Sequence, residues 1–424
     1  MSSYPNQGLS SMVHAADKTR WRLLLAPGWS RRLTGSLVVA ISGIFLCEST
    51  SLGWDGGQSV TQSTLSNRDP ALMTILQAER STAGSEELQS AWQTVSQWPT
   101  ERLSEVLDAA DEANPVALNW LRTAIDGMTE QPGFELPVNM LEQVVQDTTR
   151  KFASRRIAWD LLESAEPKLM ESIAESLIAD PIATFRRPAI QTKIALANTF
   201  EKGSVERKQV LDRAFGAARD EDQVGEIARM LETEYGEKPD LATHFGYVVD
   251  WHVLGPFPNI AEAGFHDSLA PEKILLSDFD SQGKPNPELE YEGSAGSLKW
   301  QTHSAVSDTG EMDLNKVLGN EKEVVGYGVS IFNSSQERSA EIRLRMQNAF
   351  KLWLNGELIQ SQPIGHTGNS FDQYVIPVSL KKGQNLILIK SCQNKPPQEM
   401  EWYDVWHLNV RICDASGTAI REGE

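Results

Sequence analysis

The spacing of apolar residues changes once along this chain of 424 residues. From Asp69 to about Tyr235, apolar side chains recur at three- and four-residue intervals, as in PVALNWLRTAIDGM, which is the spacing of amphipathic helices. Beyond about residue 245 they alternate with polar ones, as in SAEIRLRM, which is the spacing of half-buried strands. The sequence therefore predicts a multi-domain α-then-β protein, with a helical domain at residues 68–240 and a β domain at 245–424.

The helical part predicts about ten helices of roughly 12 to 18 residues joined by short connections, which favours helical hairpins stacked on one another. A short internal echo, Arg155-Arg156-x-Ala and Arg186-Arg187-x-Ala, follows the pattern of a HEAT-type repeat. A HEAT-like solenoid and an irregular bundle both fit this pattern. We interpret the paired arginines as a solvated helix face.

The β part contains short alternating segments separated by turn residues, among them Asn355-Gly356 and Lys382-Gly383. No helical segment long enough for parallel crossovers lies between them, so the pattern favours an antiparallel β-sandwich of the jelly-roll type. The predicted strands are VDWHVL, LKWQTH, VVGYGVSIF, SAEIRLRM, FKLWLN, ELIQ, DQYVIPVSL, NLILIK and VWHLNVRIC.

The first 53 residues follow the order of a signal peptide: scattered arginines, the apolar run from Ser36 to Cys47, and a small-residue stretch ending at Gly53. The apolar run is shorter than the ~20 residues of a spanning helix. We expect export to the periplasm or the extracellular space, with retention as a membrane anchor as the alternative. Residues 54–67 are rich in Gly, Ser and Thr and predict a flexible leader.

The formal net charge of -19 argues against nucleic acid and anionic lipid as partners, because their phosphates would be repelled. The cysteines after the apolar run, Cys392 and Cys413, are too few for a disulfide-stapled scaffold. If their strands were adjacent and antiparallel, the two sulfurs would lie at opposite ends of the ladder, out of bonding range. Because that pairing is assumed, a disulfide stays the alternative.

Motifs for several chemistries are absent from the sequence. It contains no G-x-S-x-G elbow, no H-E-x-x-H zinc pair and no G-x-x-x-x-G-K-[ST] phosphate loop. Asp278, Asp280, Gln282 and Gly283 have the spacing that opens a calcium loop, but the twelfth position is Leu289 and two prolines interrupt it. We predict no cofactor and no EF-hand, and leave open a structural Ca²⁺ held by loop carboxylates.

Four motifs together resemble a known class of domain: DWHVLGPFPN, KLWLNGELI, SLKKGQNLILIKSCQN and WHLNVRICDASG. The β part resembles galactose-binding-like jelly-roll sandwiches. The whole arrangement is similar to exported planctomycete-type proteins that combine HEAT-like helical repeats with such a sandwich, a group with no assigned activity. This resemblance implies carbohydrate binding without catalysis, or a structural spacer, and it transfers no residue set for sugar binding.

Trp353 and Asn355 are the candidate ligand-binding residues. Leu352 and Leu354 claim the core face of their strand, so the pleat turns Trp353 to the other face, where an indole could stack on a sugar. The alternative is that the 255–298 segment or the helical half covers that face and makes Trp353 a packing residue. Trp402 and Trp406 share the parity of Leu408 and are predicted to be core residues or to lie at its rim.

These patterns favour an exported, noncatalytic binding protein, in which the sandwich engages a glycan or an envelope component and the helical part offers a protein-interaction platform. Two alternatives stay open. One is an enzyme or accessory subunit acting on polysaccharide, with acids at the domain junction near Asp250, His252 and Glu262. The other is a pure scaffold, which predicts no concave polar pocket.

Overall fold

The change of period corresponds to a change from helices to strands. The computed structural model describes residues 68–277, 285–305, 307–365, 368–395 and 405–423. The predicted signal peptide, the leader, the Asp278–Gly283 segment and Trp402 lie outside these ranges. All described residues belong to one compact unit. The α-then-β order is confirmed, with helices up to Phe245 and the first strand starting at Asp250.

Eleven helices of 5 to 15 residues lie between Pro70 and Phe245, so their number is close to the prediction and several are shorter than predicted. Several of them begin at a side-chain N-cap: Asn114, for example, accepts hydrogen bonds from the backbone N–H groups of Val116 and Ala117. The helices are α1 Pro70–Leu76, α2 Glu86–Ser96, α3 Leu103–Ala110, α4 Pro115–Thr129, α5 Val138–Gln146, α6 Phe152–Ala165, α7 Pro167–Ser176, α8 Ala183–Ala197, α9 Val205–Ala217, α10 Glu221–Tyr235 and α11 Leu241–Phe245.

The paired arginines divide between core and surface. Arg155 is fully buried: it pairs with Asp180, donates to the backbone oxygen of Val145 at 2.8 Å and lies 4.4 Å from the centroid of the Phe185 ring. Arg186 is 5% exposed. The prediction of a solvated face is therefore wrong for the first arginine of each pair. Arg155 thus links α6 to α5 and to the turn before α8, whereas Arg186 donates to the backbone oxygens of Asp180 at 2.9 Å and Pro181 at 3.2 Å in that turn. Helical spacing alone does not reveal these contacts.

Every predicted strand segment contains a strand in the structure. Additional short strands and helices fill the connections. The strands are β1 Asp250–Pro258, β2 Tyr291–Gly293, β3 Gly296–Leu298, β4 Gln301–Ser304, β5 Met312–Asp313, β6 Val324–Ser334, β7 Arg338–Leu344, β8 Ala349–Leu354, β9 Glu357–Gln362, β10 Tyr374–Leu380, β11 Gly383–Gln393, β12 His407–Leu408 and β13 Val410–Cys413. The helices among them are α12 Ala263–His266, α13 Ala270–Ser277 and α14 Leu314–Leu318.

Two antiparallel sheets enclose the β core. One has six strands in the order β4-β1-β6-β11-β8-β9, and the other has three in the order β10-β7-β13. Their facing side chains form one apolar cluster, to which Trp251, Phe350 and Ile389 contribute from the larger sheet and Ile342 and Ile412 from the smaller. Two short pairs, β12-β5 and β2-β3, complete the strands of the described residues.

The two cysteines lie on different sheets. Cys392 belongs to β11 in the six-stranded sheet and Cys413 to β13 in the three-stranded sheet. The assumption that their strands are adjacent is therefore wrong, although both thiols are free. Burial raises the pKa of Cys392 to about 12 and that of Cys413 to about 11, so both stay protonated at neutral pH.

A helical cover lies on the outer face of the six-stranded sheet. Phe265, Leu275, Tyr291 and Trp300 pack there in an apolar cluster that includes Trp353. A buried ion pair fastens the cover to the sheet. Lys390 is fully buried on β11 and donates to Glu272 Oε1 of α13 at 2.6 Å, while Tyr327 Oη donates to the same oxygen at 2.5 Å.

Arg411, 2% exposed on β13, joins the helical part to the sandwich. Its Nε donates to Asp372 Oδ1 at 2.6 Å and its Nη2 to Oδ2 at 2.5 Å. Its Nη1 donates to the backbone oxygens of Phe245 at 3.1 Å and Gly417 at 3.2 Å. Burial alone would raise the pKa of Asp372, but hydrogen bonds and charge from Arg411 and Arg343 bring it below its usual value. One guanidinium thus ties the end of α11 to the C-terminal turn.

Among the described residues, no helix has the length and apolar character that a membrane crossing requires.

We predict that Lys390→Met lowers the free energy of unfolding by about 3–5 kcal/mol, because it leaves the Glu272 carboxylate buried without its cation. The double variant Lys390→Met with Glu272→Gln should recover a large part of that loss, since neither charge is then buried alone. Urea unfolding measures both. Lys208→Met, which removes a surface partner of Asp212 and Glu237, is the control and should cost much less than Lys390→Met. Equal losses in Lys390→Met and the double variant would contradict this account.

Candidate functional site

A cleft of about 660 Å³ opens where β1 and β6 separate. The ladder between these strands ends at the pair His252–Val329, whereas β6 continues along β11 as far as Ser334. The opening is bordered by α11, the edge strand β4 and the C-terminal segment. Its polar lining residues are Asp240, Thr243, Asp250, His252, Thr302, Ser330, Asn333, Gln384, Arg421 and Glu422. Val249, Ile331, Phe332 and Ile420 are among its apolar lining residues.

The α11 wall is set by a capped helix and a glycine turn. Asp240 caps α11 by accepting the Thr243 N–H at 3.0 Å and the Thr243 hydroxyl at 2.6 Å. Gly246 ends the helix at a φ of 74°. A Cβ there would lie 2.6 Å from the Ile412 backbone oxygen, so this close approach requires glycine. The chain then turns into the sandwich, where the Val248 N–H donates to Val410 at 2.8 Å.

The C-terminal segment forms a second wall. The Gly423 N–H donates to the backbone oxygen of Asn333 at 2.9 Å, and Asn333 Nδ2 donates to Glu422 Oε1 at 2.5 Å. These bonds attach the last described residues to the end of β6. Glu422 is therefore held at the cleft by a residue almost ninety positions earlier in the sequence.

Two cross-strand pairs join β1 to β4 beside the cleft. Ser304 Oγ donates to Asp250 Oδ1 at 2.5 Å, and Thr302 Oγ1 lies 3.0 Å from His252 Nδ1. Both pairs are directly opposite in the β1–β4 register. A hydroxyl beside an imidazole can act as a nucleophile with its base, or simply stabilise two strands at a sheet edge.

The lining of the cleft carries more acidic than basic side chains. Its lining carries the carboxylates Asp240, Asp250 and Glu422 and the guanidinium of Arg421. The hydrogen bonds from Thr243, first from its hydroxyl and then from its backbone N–H, lower the pKa of Asp240. Asp240 is therefore ionised at neutral pH and is unsuited to donating a proton to a leaving group.

Ser330 lies deep in the cleft, where the residue is only 6% exposed. Among the described residues its hydroxyl has no hydrogen-bond partner. A hydroxyl supplies one donor and two acceptor positions. The interior of the cleft thus presents a polar group that protein contacts leave unsatisfied.

Of the junction residues proposed from sequence, Asp250 and His252 line the cleft together. Glu262 does not, because it follows the other end of β1, where its Oε1 accepts from Asn394 Nδ2 at 3.0 Å. The strand period could place Asp250 and His252 on one face. It gave no signal for Asn333, Gln384 or Glu422, which come from distant segments without a shared motif.

The ring of Trp353 is not available to stack on a sugar in this structure. Trp353 is 5% exposed and belongs to the apolar cluster beneath the cover that contains Phe265 and Trp300. The packing alternative, with the 255–298 segment over this face, describes the arrangement. Trp406, 1% exposed, is a core residue as predicted, and its Nε1 donates to Ser391 Oγ at 3.1 Å.

Asn355 is used for structure. It takes a φ of 54° at the β8–β9 turn, its Nδ2 donates to Asn385 Oδ1 at 2.9 Å and its Oδ1 accepts the Leu386 N–H at 3.0 Å. These bonds attach the hairpin to β11. Trp353 and Asn355 could bind a ligand only if this face adopted another conformation, in which the two side chains were released from these contacts.

The predicted calcium-loop residues lie outside the described ranges, so the structure does not bear on a Ca²⁺ there. Within the described ranges, no three His, Cys, Asp or Glu side chains are grouped in a way that could hold a metal ion.

His244 lies directly behind the α11 wall. Its ring packs 4.3 Å from that of Phe215, centroid to centroid, and its Nε2 lies 2.9 Å from the backbone oxygen of Ala218. Burial lowers the pKa of His244 to about 4, with a smaller contribution from Arg219, Arg411 and Arg421. The hydrogen bond to Ala218 acts in the opposite direction and raises the pKa, but burial outweighs it.

No protein-family model matches the sequence, and no curated protein matches it. Among solved structures, the chain matches the β-glucosidase of Kluyveromyces marxianus, in its complex with glucose, at 11% identity and a TM-score of 0.21, over 30% of this chain and 15% of that chain. A selenomethionine structure of a β-glucosidase from the same organism matches at 12% identity and a TM-score of 0.22, over 31% and 16%. The chain thus spans about a sixth of the enzyme it matches. Similarity at this level carries no argument about activity.

We predict that His244 makes the fold acid-sensitive. Its pKa is about 4 in the folded chain against 6.5 for the free side chain, so its contribution to stability is complete above pH 6.5 and is lost as the pH falls toward 4. His244→Gln keeps a donor for Ala218 without a titrating ring. Between pH 7 and pH 4.5 this variant should lose about 2 kcal/mol less unfolding free energy than the natural chain.

Urea unfolding at a series of pH values measures this difference. His303→Gln, which removes a ring on the edge strand β4, is the matched control and should retain the natural pH dependence. An unchanged pH dependence in His244→Gln would contradict the prediction.

Proposed function

We propose that this protein is a noncatalytic binding protein and that its junction cleft takes a carbohydrate. The observation that carries this proposal is the cleft itself, about 660 Å³ in volume and lined by carboxylate, amide and hydroxyl groups beside an apolar wall. This volume lies within the roughly 300–1,000 Å³ of small-molecule sites. A pure scaffold would need no such concave polar surface.

Sugar chemistry suits this lining. A pyranose carries hydroxyls that both donate and accept, and an apolar ring face between them. Carboxylates such as Asp250 accept from hydroxyls, amides such as Asn333 and Gln384 both donate and accept, and Ile331 and Phe332 offer apolar surface. The cleft thus offers partners for the hydroxyls of a pyranose and for its apolar ring face. From the sequence alone, Trp353 is predicted to be the residue that contacts the ring face.

The other parts of the proposal concern the rest of the chain. The sandwich would be a jelly roll of the galactose-binding-like type, and the helical part a HEAT-like platform for an envelope protein. The N-terminal segment would direct export to the periplasm or the extracellular space. The order of helices followed by antiparallel sheets supports this arrangement.

A polysaccharide-acting enzyme is the second candidate. Two observations favour it: the cleft gathers the carboxylates of Asp240, Asp250 and Glu422, and the Thr302 hydroxyl lies beside His252. Glycoside hydrolysis needs one carboxylic acid whose pKa is raised so that it can protonate the leaving group. Asp240 has the opposite shift and does not meet this requirement.

A glycan array probed with the full chain tests the proposal. We expect binding to a defined set of glycans and its loss by at least about tenfold in Gln384→Trp, which places an indole at the opening of the cleft. Gln384 is exposed, so the substitution should leave the fold intact. Gln89→Trp, at an exposed position on α2, is the matched control and should bind as the natural chain does.

Two outcomes would overturn the proposal. Failure of the folded chain to bind any glycan would reject carbohydrate binding and favour the scaffold. Release of new reducing ends from bound glycans, with loss of that release in His252→Ala, would favour the enzyme.

A further inference from the structure

The carboxylates of the cleft lie on three different walls. Asp240 stands at the start of α11, Asp250 at the start of β1, and Glu422 on the C-terminal segment. Asp240, Asp250 and Glu422 are all exposed residues, so their unused oxygen lone pairs face solvent or the cleft. A carboxylate has about four acceptor positions, and the hydrogen bonds from Thr243, Ser304 and Asn333 leave some of them free.

The cations of the lining are fewer. Arg421 is the guanidinium among the described lining residues, and His252 adds a charge when it is protonated. With His252 neutral, three negative charges face one positive charge. The whole chain carries a net charge of -19, whereas Arg219 and Arg411 lie near His244 behind the α11 wall, so the excess of carboxylates is a property of the lining itself.

A second observation points to a ligand independently of charge. Ser330, 6% exposed, lines the interior of the cleft and its hydroxyl has no partner among the described residues. Its Oγ is not one of the fully buried unpaired atoms of the described residues, so water or a ligand in the cleft can supply the missing hydrogen-bond partner. The cleft therefore presents an unpaired hydroxyl in addition to its carboxylates.

We infer that the cleft selects glycans carrying a protonated amine, such as sugars with a free 2-amino group, over neutral glycans, and excludes glycans carrying carboxylate or sulfate. This inference rests on the proposed carbohydrate-binding function. An ammonium group donates three hydrogen bonds and is attracted by the carboxylates, whereas an acidic sugar is repelled by the same groups. An N-acetylated sugar keeps the shape but loses the charge.

Isothermal titration calorimetry with the full chain tests the inference. The probes are four tetrasaccharides with the same β-1,4 linkage: one of glucosamine, one of N-acetylglucosamine, one of glucose and one of glucuronic acid. At low salt and pH 6 we expect the glucosamine tetrasaccharide to bind at least about tenfold more tightly than the neutral pair. The glucuronic acid tetrasaccharide should bind most weakly. Added salt should reduce the differences in affinity among the four sugars, because it screens the charges.

Substitutions distinguish the effect of the cleft carboxylates on affinity from the effect of the acidic surface as a whole. Asp250→Asn and Glu422→Gln, each of which removes one negative charge at nearly constant shape, should each reduce the ratio of amine to neutral affinity by about threefold or more. Asp160→Asn, on the exposed surface of α6, is the matched control and should leave the ratio unchanged.

The outcomes distinguish this inference from the proposed function. If none of the four sugars binds, and the glycan array shows no binding either, both fall. If a neutral or acidic tetrasaccharide binds as tightly as the amine, the amine selectivity is overturned while carbohydrate binding stands. A preference for the amine that survives both Asp250→Asn and Glu422→Gln would also overturn it, because the acidic surface as a whole would then be the cause.

Discussion

The buried guanidinium of Arg411 is the contact on which the junction depends. It binds both oxygens of Asp372 and the backbone oxygens of Phe245 and Gly417, and its Cζ lies 4.7 Å from the centroid of the Phe371 ring. Phe245 ends α11 and Gly417 leads into the C-terminal segment, so two walls of the cleft are attached to one side chain. A cation so deeply buried is tolerated only because its hydrogen bonds and its carboxylate partner replace water.

Buried ion pairs also connect elements within the helical part and within the β part. Arg155 with Asp180 links α6 to the turn before α8, and Lys390 with Glu272 holds the helical cover on the six-stranded sheet. In each case a charged side chain from one element is satisfied by another element rather than by solvent. These pairs add little net stability by themselves, but breaking one is costly, and they specify which elements meet. The cleft is thus framed by specific contacts, and the Ser330 hydroxyl in its lining has no hydrogen-bond partner among the described residues.

Apolar periodicity predicted the helices, the strands and the change between them, because local spacing records which face of an element is buried. It could not predict what covers that face. Trp353 was correctly placed opposite Leu352 and Leu354, yet the 255–298 segment buries it, and Arg155 lies in the core although arginine usually marks a surface. Cys392 and Cys413 sit on strands that local patterns cannot assign to different sheets. Asn333 and Glu422 lie far apart in the sequence and come together only in the folded chain, so no sequence motif predicts the cleft that they line.

Hydrogen–deuterium exchange of the full chain, with and without the tetrasaccharide of glucosamine, tests the central claim that the junction cleft is the ligand site. The account predicts slower exchange on ligand addition in α11, at the start of β1 and at the end of β6, with no change in the β8–β9 hairpin that carries Trp353 and Asn355. Protection concentrated in that hairpin, with the cleft strands unaffected, would contradict it.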